Sequence, residues 1–379
     1  MRNDFRQLFR QLLTLPSVSS ANASIDMSNR PVVELLANVF GDLGFKCELM
    51  PLPTQPHKAN LIATYGSGPG GLVLAGHTDT VPFDEALWAC NPLALTETDD
   101  KLYGLGSSDM KGFFALVHAA VQPLLQEKFK APLIILATAD EESSMDGARA
   151  LVKQGRSLGR HAVIGEPTGL RPVNRHKGVL MERLHVQGQS GHSSNPALGK
   201  NALEAMHAMI AALMQFRGDL QRRYRNPHFA IDVPTLNLGV IHGGDNPNRI
   251  CGHCALEFDV RMLPGMQGST IRDEIRALIE PIAAQHQVQF TFTPLFAGAE
   301  PFANEHGDIL TACEQLTGHA GESVAFGTEA PFLQQLGMDT LVLGPGSISV
   351  AHQPNEFMAL DQVQPCIHLL QALIRRFCL

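Results

Sequence analysis

Four short apolar runs punctuate the chain: GLVLAG at 71–76, PLIILATA at 132–139, HAVIG at 161–165 and DTLVLG at 339–344, each bounded by Gly, Pro or Asp. Uninterrupted apolar runs of this length predict strands buried on both faces, as in a parallel sheet covered by helices. Between them lie segments with helical spacing, such as MKGFFALVHAAVQPLLQEKF from Met110 and DGARALVKQG from Asp146. Strands alternating with helices predict an α/β, doubly wound, mostly parallel sheet. GSGPGG at 66–71 reads as a turn between strands and not as a phosphate loop, because neither a helix start nor Lys-Ser/Thr follows it.

The pattern changes in the middle of the chain. From Arg175 to Gln285 the order reads strand (VLMERLHVQG), helix (GKNALEAMHAMIAALMQF), strand (TLNLGVIH), strand (ALEFDVRM) and helix (STIRDEIRALIEPIAAQ), with VQFTFTP as a candidate closing strand. This β-α-β-β-α-β succession predicts an inserted α+β two-layer, ferredoxin-like domain, since DTLVLG resumes the parallel pattern after it. The expected division is 1–174 and 286–379 for the sheet domain and 175–285 for the insert.

Composition narrows the function. With 379 residues, 44% hydrophobic and 17% charged, the chain can bury enough surface for more than one domain. A net charge of −8 without a basic run argues against a nucleic-acid partner. No window reaches the roughly 18 uncharged apolar residues of a membrane span. The N-terminal MRNDFRQLFRQLLTLPSVSS mixes charges into a helical pattern, unlike a secretory signal. Seven scattered cysteines, an odd number, fit a reducing compartment, so a soluble cytoplasmic protein without membrane contact is expected. CGHC at 251–254 has the spacing of a thiol redox pair. That chemistry needs the pair to open a helix, whereas the alternating ALEFDVRM that follows predicts a strand.

Every strand of the predicted main sheet discharges polar residues at its carboxyl end. His77 follows GLVLAG, Asp140, Glu141 and Glu142 follow LIILATA, Glu166 follows HAVIG, and His352 comes after DTLVLG and GPGS. The loop GLGSSDMKG adds Asp109. Carboxyl ends of strands line the ligand crevice of open α/β sheets, so these residues are expected to converge. Singly, each is explained as a turn former or helix cap, and Asp84 and Asp146 read that way. Together, adjacent Asp140, Glu141 and Glu142 would repel at a buried strand end unless cations neutralise them. Imidazole and carboxylate without thiolate suit Zn²⁺, Co²⁺ or Mn²⁺, and two His with three acids suffice for two ions sharing a bridging carboxylate. Such a pair, roughly 3.5–4 Å apart, lowers the pKa of a water and polarises a carbonyl. A spare acid of the Glu141-Glu142 pair would take the proton. The Asp79 carboxylate would accept the other ring N–H of His77.

HTDTVP, GLGSSDMKGF, DEES, IGEPT, GHSS, GTEAPF and GPGSISVAHQPNEF, in that order over nearly the whole chain, resemble the signatures of a two-metal amidohydrolase and peptidase family. That family includes aminoacylases, glutamate carboxypeptidases and succinyl-diaminopimelate desuccinylase. Within it, GGDNPNRIC, LEFDVRMLPGM, FGTEAPF and AHQPNE most resemble its amino-acid deacetylases. The resemblance implies hydrolysis of a small acylated amino acid with two divalent ions, Zn²⁺ foremost and Co²⁺ the alternative. It makes His77 and Glu166 ligands of one ion, Glu142 and His352 ligands of the other, Asp109 the bridge, Glu141 the general base and Asp79 the orienter.

The same resemblance makes the insert a lid and dimerisation domain of a homodimer. His192 of GHSS would stabilise the oxyanion, from the neighbouring subunit in many members; a solvated turn before Asn195-Pro196 is the other reading. Asn248 and Arg261 match positions that grip the substrate carboxylate, although an ion pair on its own strand equally explains Arg261. Gly327 and Thr328 match a contact near the scissile group. Glu329, next to them, would repel an anionic acyl group such as succinate and receive an amine, which favours a neutral acyl group on a cationic amino acid. The rival within the class is another acyl-amino-acid hydrolase or dipeptidase, such as a succinyl-diaminopimelate desuccinylase. Two readings from other classes stand beside it, a thiol oxidoreductase using Cys251 and Cys254, and a metal-binding protein without turnover, which the presence of Glu141 disfavours.

Overall fold

The structure, a computed structural model, describes residues 5–379. The chain divides into two compact units, one running up to Asn174 and continuing over Asn304–Glu322 and Thr328–Leu379, the other comprising Arg175–Ala303 and Ser323–Gly327.

In the first unit the four apolar runs are the strands Leu72–His77, Leu133–Thr138, His161–Pro167 and Asp339–Gly344. Strand 72–77 lies between 133–138 and 161–167, and 339–344 pairs on the far side of 161–167; all these pairings are parallel. Leu72 is level with both Leu133 and His161, and His161 with Asp339, so the four carboxyl ends emerge along one edge. Two antiparallel strands, Lys46–Pro51 and Ala59–Tyr65, continue the sheet beyond 133–138. Lys46–Pro51 is half-exposed and mixes polar with apolar residues, so it offers no continuous apolar run to read.

The helical pattern at the N-terminus is the helix Phe5–Leu13, with residues 1–4 of that pattern outside the described residues. It and the C-terminal helix Val363–Cys378 flank the helix Lys111–Val121. The helical run from Met110 stops at Val121 because Pro123 cannot donate within a helix; a single 3₁₀ turn, Gln122–Leu124, follows. Phe9, Phe40, Phe113 and Phe114 are almost wholly buried in this core, each contributing roughly 1.5–3 kcal/mol of apolar transfer. Two strand glycines let helix 111–121 lie close to the sheet. A Cβ on Gly165 would strike the Phe113 ring, and one on Gly76 would strike the Met110 side chain. This close approach brings the start of the helix, with Asp109 just before it, down against the end of strand 72–77.

The second unit is an antiparallel sheet in the order 235–243, 253–262, 178–187, 289–294 (strands Thr235–Gly243, His253–Met262, Gly178–Gln187 and Gln289–Pro294). Burial alternates residue by residue along 253–262, so one face is apolar. Helices Ala202–Arg223 and Gly268–His286 cover that face, and Leu184, Met206, Met209, Val260 and Ile275 form a core separate from the first. The unit extends to Ala303 and not to 285, because strand 289–294 pairs with 178–187 and Val179 bridges Ala299. Among the described residues, no helix is long and apolar enough to cross a membrane.

Candidate metal centre

The polar residues at the carboxyl edge of the parallel strands form a cluster in the first unit. His77 ends its strand and is buried; its Nε2 lies 3.0 Å from Asp109 Oδ1 and 3.9 Å from Glu166 Oε1. The other Asp109 oxygen, Oδ2, lies 3.4 Å from Nε2 of His352, which is also 3.0 Å from Glu142 Oε2. Asp109 therefore stands between two imidazoles, one oxygen toward each. The donor atoms of His77, Asp109 and Glu142 all fall within 4.8 Å of one another.

Asp79 orients this cluster in a different way from the one expected. The Nδ1 of His77 meets the main-chain oxygen of Asp79 at 3.0 Å, whereas the Asp79 carboxylate is 3.7 Å away, beyond hydrogen-bond reach. The turn after the strand brings the carbonyl closer than the side chain. The carboxylate accepts the Glu142 N–H through Oδ2 at 3.0 Å, tying the 140–142 turn to the end of strand 72–77.

The three adjacent acids also part company. Asp140 adopts a left-handed conformation at φ 61 and turns to Lys58, whose Nζ donates to it at 2.6 Å in a buried ion pair; Ser19 adds a hydrogen bond of 2.9 Å. Its charge is thus met by an ammonium, which corrects the expectation that all three acids need added cations. Glu141 and Glu142 carry the remaining charge. Burial first, then the negative charge of Glu166, holds the Glu141 carboxyl well above the usual carboxylate range. Burial and the charge of Asp109 do the same to Glu166, against the pull of His77. Burial works against the Asp109 carboxylate, but hydrogen bonds from His352 and His77 hold its pKa below the ordinary value. Hydrogen bonds to Asp109 and Glu142 push His352 up to about 10.

The donors fit divalent metal. Glu166 Oε1 and Asp79 Oδ1 are buried without a hydrogen-bond partner, a costly state that a cation relieves. Imidazole nitrogen and carboxylate oxygen, with no thiolate near, form the donor set of borderline ions.

A model of the Peptidase family M20/M25/M40 matches residues 73–376. The chain belongs to this family. Acetylornithine deacetylase of Edwardsiella ictaluri is 47% identical over 377 residues, covering 99% of this chain and 98% of the relative. Aminopeptidase PepT from Bacillus cereus superposes with a TM-score of 0.75 at 18% identity, covering 99% of this chain and 98% of that one. The Bacillus subtilis YXEP protein, a dinuclear metal binding peptidase of the M20 family, gives 0.68 at 16% identity, with 99% of each chain covered. At such low identity these two likenesses show the fold.

The remaining site candidates of this M20/M25/M40 member divide between the units. Thr328 and Glu329 belong to the first unit, and both are buried. Glu329 Oε2 accepts the Thr138 hydroxyl at 2.7 Å, while Oε1 has no partner, and burial raises its pKa to about 7. His192, Asn248, Arg261 and Gly327 belong to the second. There His192 is exposed, with Nδ1 2.8 Å from Ser194 Oγ, and the Asn248 carbonyl accepts the Ser193 N–H at 3.1 Å. Arg261 pairs with Asp259 at 2.8 Å on its own strand. Cys254 lies within strand 253–262, not at a helix start, and burial raises its thiol pKa, so a stabilised thiolate has no support there.

One residue of the site lies inside the AHQPNE motif, yet no pattern or spacing singled it out. Glu356 is buried, and its carboxylate accepts the main-chain N–H groups of Gly106, Ser108 and Asp109 at 3.1, 2.7 and 2.9 Å. Only the antiparallel pairing of Phe357–Ala359 with Lys101–Tyr103, in which Phe357 faces Tyr103, brings it to the start of the Asp109 loop.

Proposed function

We propose that the protein removes the acetyl group of N2-acetyl-L-ornithine to give L-ornithine and acetate, as a step of arginine biosynthesis. The near-full-length 47% identity to an acetylornithine deacetylase carries this reading. The imidazole–carboxylate cluster, buried at His77 and Asp109 and open to solvent at His352, supports hydrolytic metal chemistry at its centre.

In this reading His77 and Glu166 hold one divalent ion, Glu142 and His352 the other, and Asp109 both; Zn²⁺ suits the donors and Co²⁺ is the alternative. Bound there, the ions supply Lewis-acid activation of a water and of the amide carbonyl. Glu141 takes the water's proton and delivers it to the departing amine, a role its raised pKa supports. The Asp79 main chain fixes the His77 ring. His192 donates a hydrogen bond to the developing oxyanion, Asn248 and Arg261 receive the substrate carboxylate, and Gly327 and Thr328 flank the scissile group. The unpartnered Oε1 of Glu329 supports its pairing with the substrate ammonium. The second unit serves as lid and dimerisation domain of a cytoplasmic homodimer.

A substrate panel tests the reading. Purified protein is given acetylornithine, succinyl-diaminopimelate and acetylmethionine, and kcat/KM for acetylornithine is expected to exceed the others by at least about tenfold. Equal values for all three contradict the substrate assignment.

A further inference from the structure

The parallel strands have a second polar edge. At their amino ends, about 16 Å from Glu166 at roughly 3.3 Å per residue, His161 opens one strand and Asp339, level with it, opens the next. Asp308 begins the helix Asp308–Thr317, which packs on both strands. We propose that His161, Asp308 and Asp339 form a separate site for a divalent cation of the Zn²⁺, Mn²⁺ or Co²⁺ class, one that clips this helix to the sheet.

The His161 side chain is only 8% exposed, and neither ring nitrogen has a hydrogen-bond partner among the described residues. Its Nε2 points at Asp308 Oδ2 at 3.8 Å and Asp339 Oδ2 at 4.0 Å. These separations are too long for hydrogen bonds. They lie a few tenths of an ångström above the roughly 3.4 Å between donors that share one ion at about 2.1 Å. The three donor atoms fall within 4.8 Å of one another.

The surroundings fix the donors. The Phe377 ring lies 4.2 Å from the imidazole centroid and holds its plane. Asn304 Nδ2 donates to Asp339 Oδ1 at 2.6 Å, and Ile309 N–H to Oδ2 at 3.0 Å, so that carboxylate is oriented and still has lone pairs to offer. Burial lowers the His161 pKa, which keeps the ring in its ligating neutral form. Asp308 is 66% exposed and gives an ion access from solvent. Arg160 competes for Asp308, its guanidinium lying 3.3 Å from Asp308 Oδ2; that pair is exposed, so its contribution is small and a dication displaces it. One nitrogen and two oxygens, with water completing the shell, favour borderline ions over soft ones.

The test counts ions and does not depend on deacetylase activity. The full-length protein is dialysed against micromolar Zn²⁺ and its bound zinc is measured beside His161→Gln and Asp308→Asn, with melting temperatures recorded. Each variant is expected to hold one zinc fewer than the unmodified protein and to lose the part of the zinc-induced rise in melting temperature that this site supplies. Asp308 is on the surface, so Asp308→Asn keeps the fold even if His161→Gln does not. An unchanged zinc count in Asp308→Asn overturns the proposal.

Discussion

Neighbouring residues with the same side chain have different surroundings at this centre. Glu142 meets His352 at 3.0 Å and its own N–H is held by Asp79, whereas the Glu141 carboxyl is raised by desolvation and by the charge of Glu166. If Glu141 moves a proton and does not hold metal, Glu141→Gln keeps both ions while kcat falls by about 10²–10⁴-fold. Metal content measured beside kcat checks this, and loss of an ion would make Glu141 a ligand. The titrating groups give a second expectation, for protein stripped of metal. His352 is raised to about 10 by its hydrogen bonds to Asp109 and Glu142, and burial raises Glu329 to about 7 and Glu356 to about 8. Each folded pKa exceeds its unfolded value, so the folded state binds the extra protons and its stability falls as pH rises. For the carboxyls that loss begins near pH 4.5 and ends near 8; for His352 it runs from 6.5 to about 10. The melting temperature of stripped protein should therefore drop between pH 6 and 10, and a cation bound by His352 should remove the part of that drop that belongs to His352.

Elements differ in how plainly they announce themselves. The strands 72–77, 133–138, 161–167 and 339–344 are buried on both faces, and a strand so placed can only be written as a continuous apolar run. Their common direction follows from the helices between them, which is why His77, Glu166 and the 140–142 turn could be gathered at one edge before any coordinates. The antiparallel strand Lys46–Pro51 and the three-stranded patch containing Lys101–Tyr103 and Phe357–Ala359 carry no such signature. Glu356 depends on that patch, so although AHQPNE contains it, local pattern did not mark it as the acid that organises the Asp109 loop. Lys58 likewise reaches Asp140 across 82 residues of sequence, a pairing that local pattern does not encode. Glu356→Gln replaces an acceptor oxygen with an amide NH₂ facing N–H donors, so the Asp109 loop loosens and metal affinity falls by about 10- to 100-fold. Chelator competition measures it, and unchanged affinity would remove Glu356 from any role in placing Asp109.

At the scale of the molecule, two cores serve two kinds of surface. The first unit covers its sheet with helices and leaves polar residues at the strand ends. The second buries one face of an antiparallel sheet under two helices, which the alternating 253–262 strand made legible. Its limit at Ala303 was not, because the strand 289–294 is mostly exposed and its membership rests on pairing with 178–187. The account as a whole depends on divalent cations neutralising the buried acids of the first unit. The most direct measurement is acetylornithine hydrolysis by chelator-stripped protein before and after titration with Zn²⁺. The rate should be abolished by stripping and return as zinc fills the two positions of this centre. Hydrolysis at the same rate in stripped and reconstituted samples would contradict it.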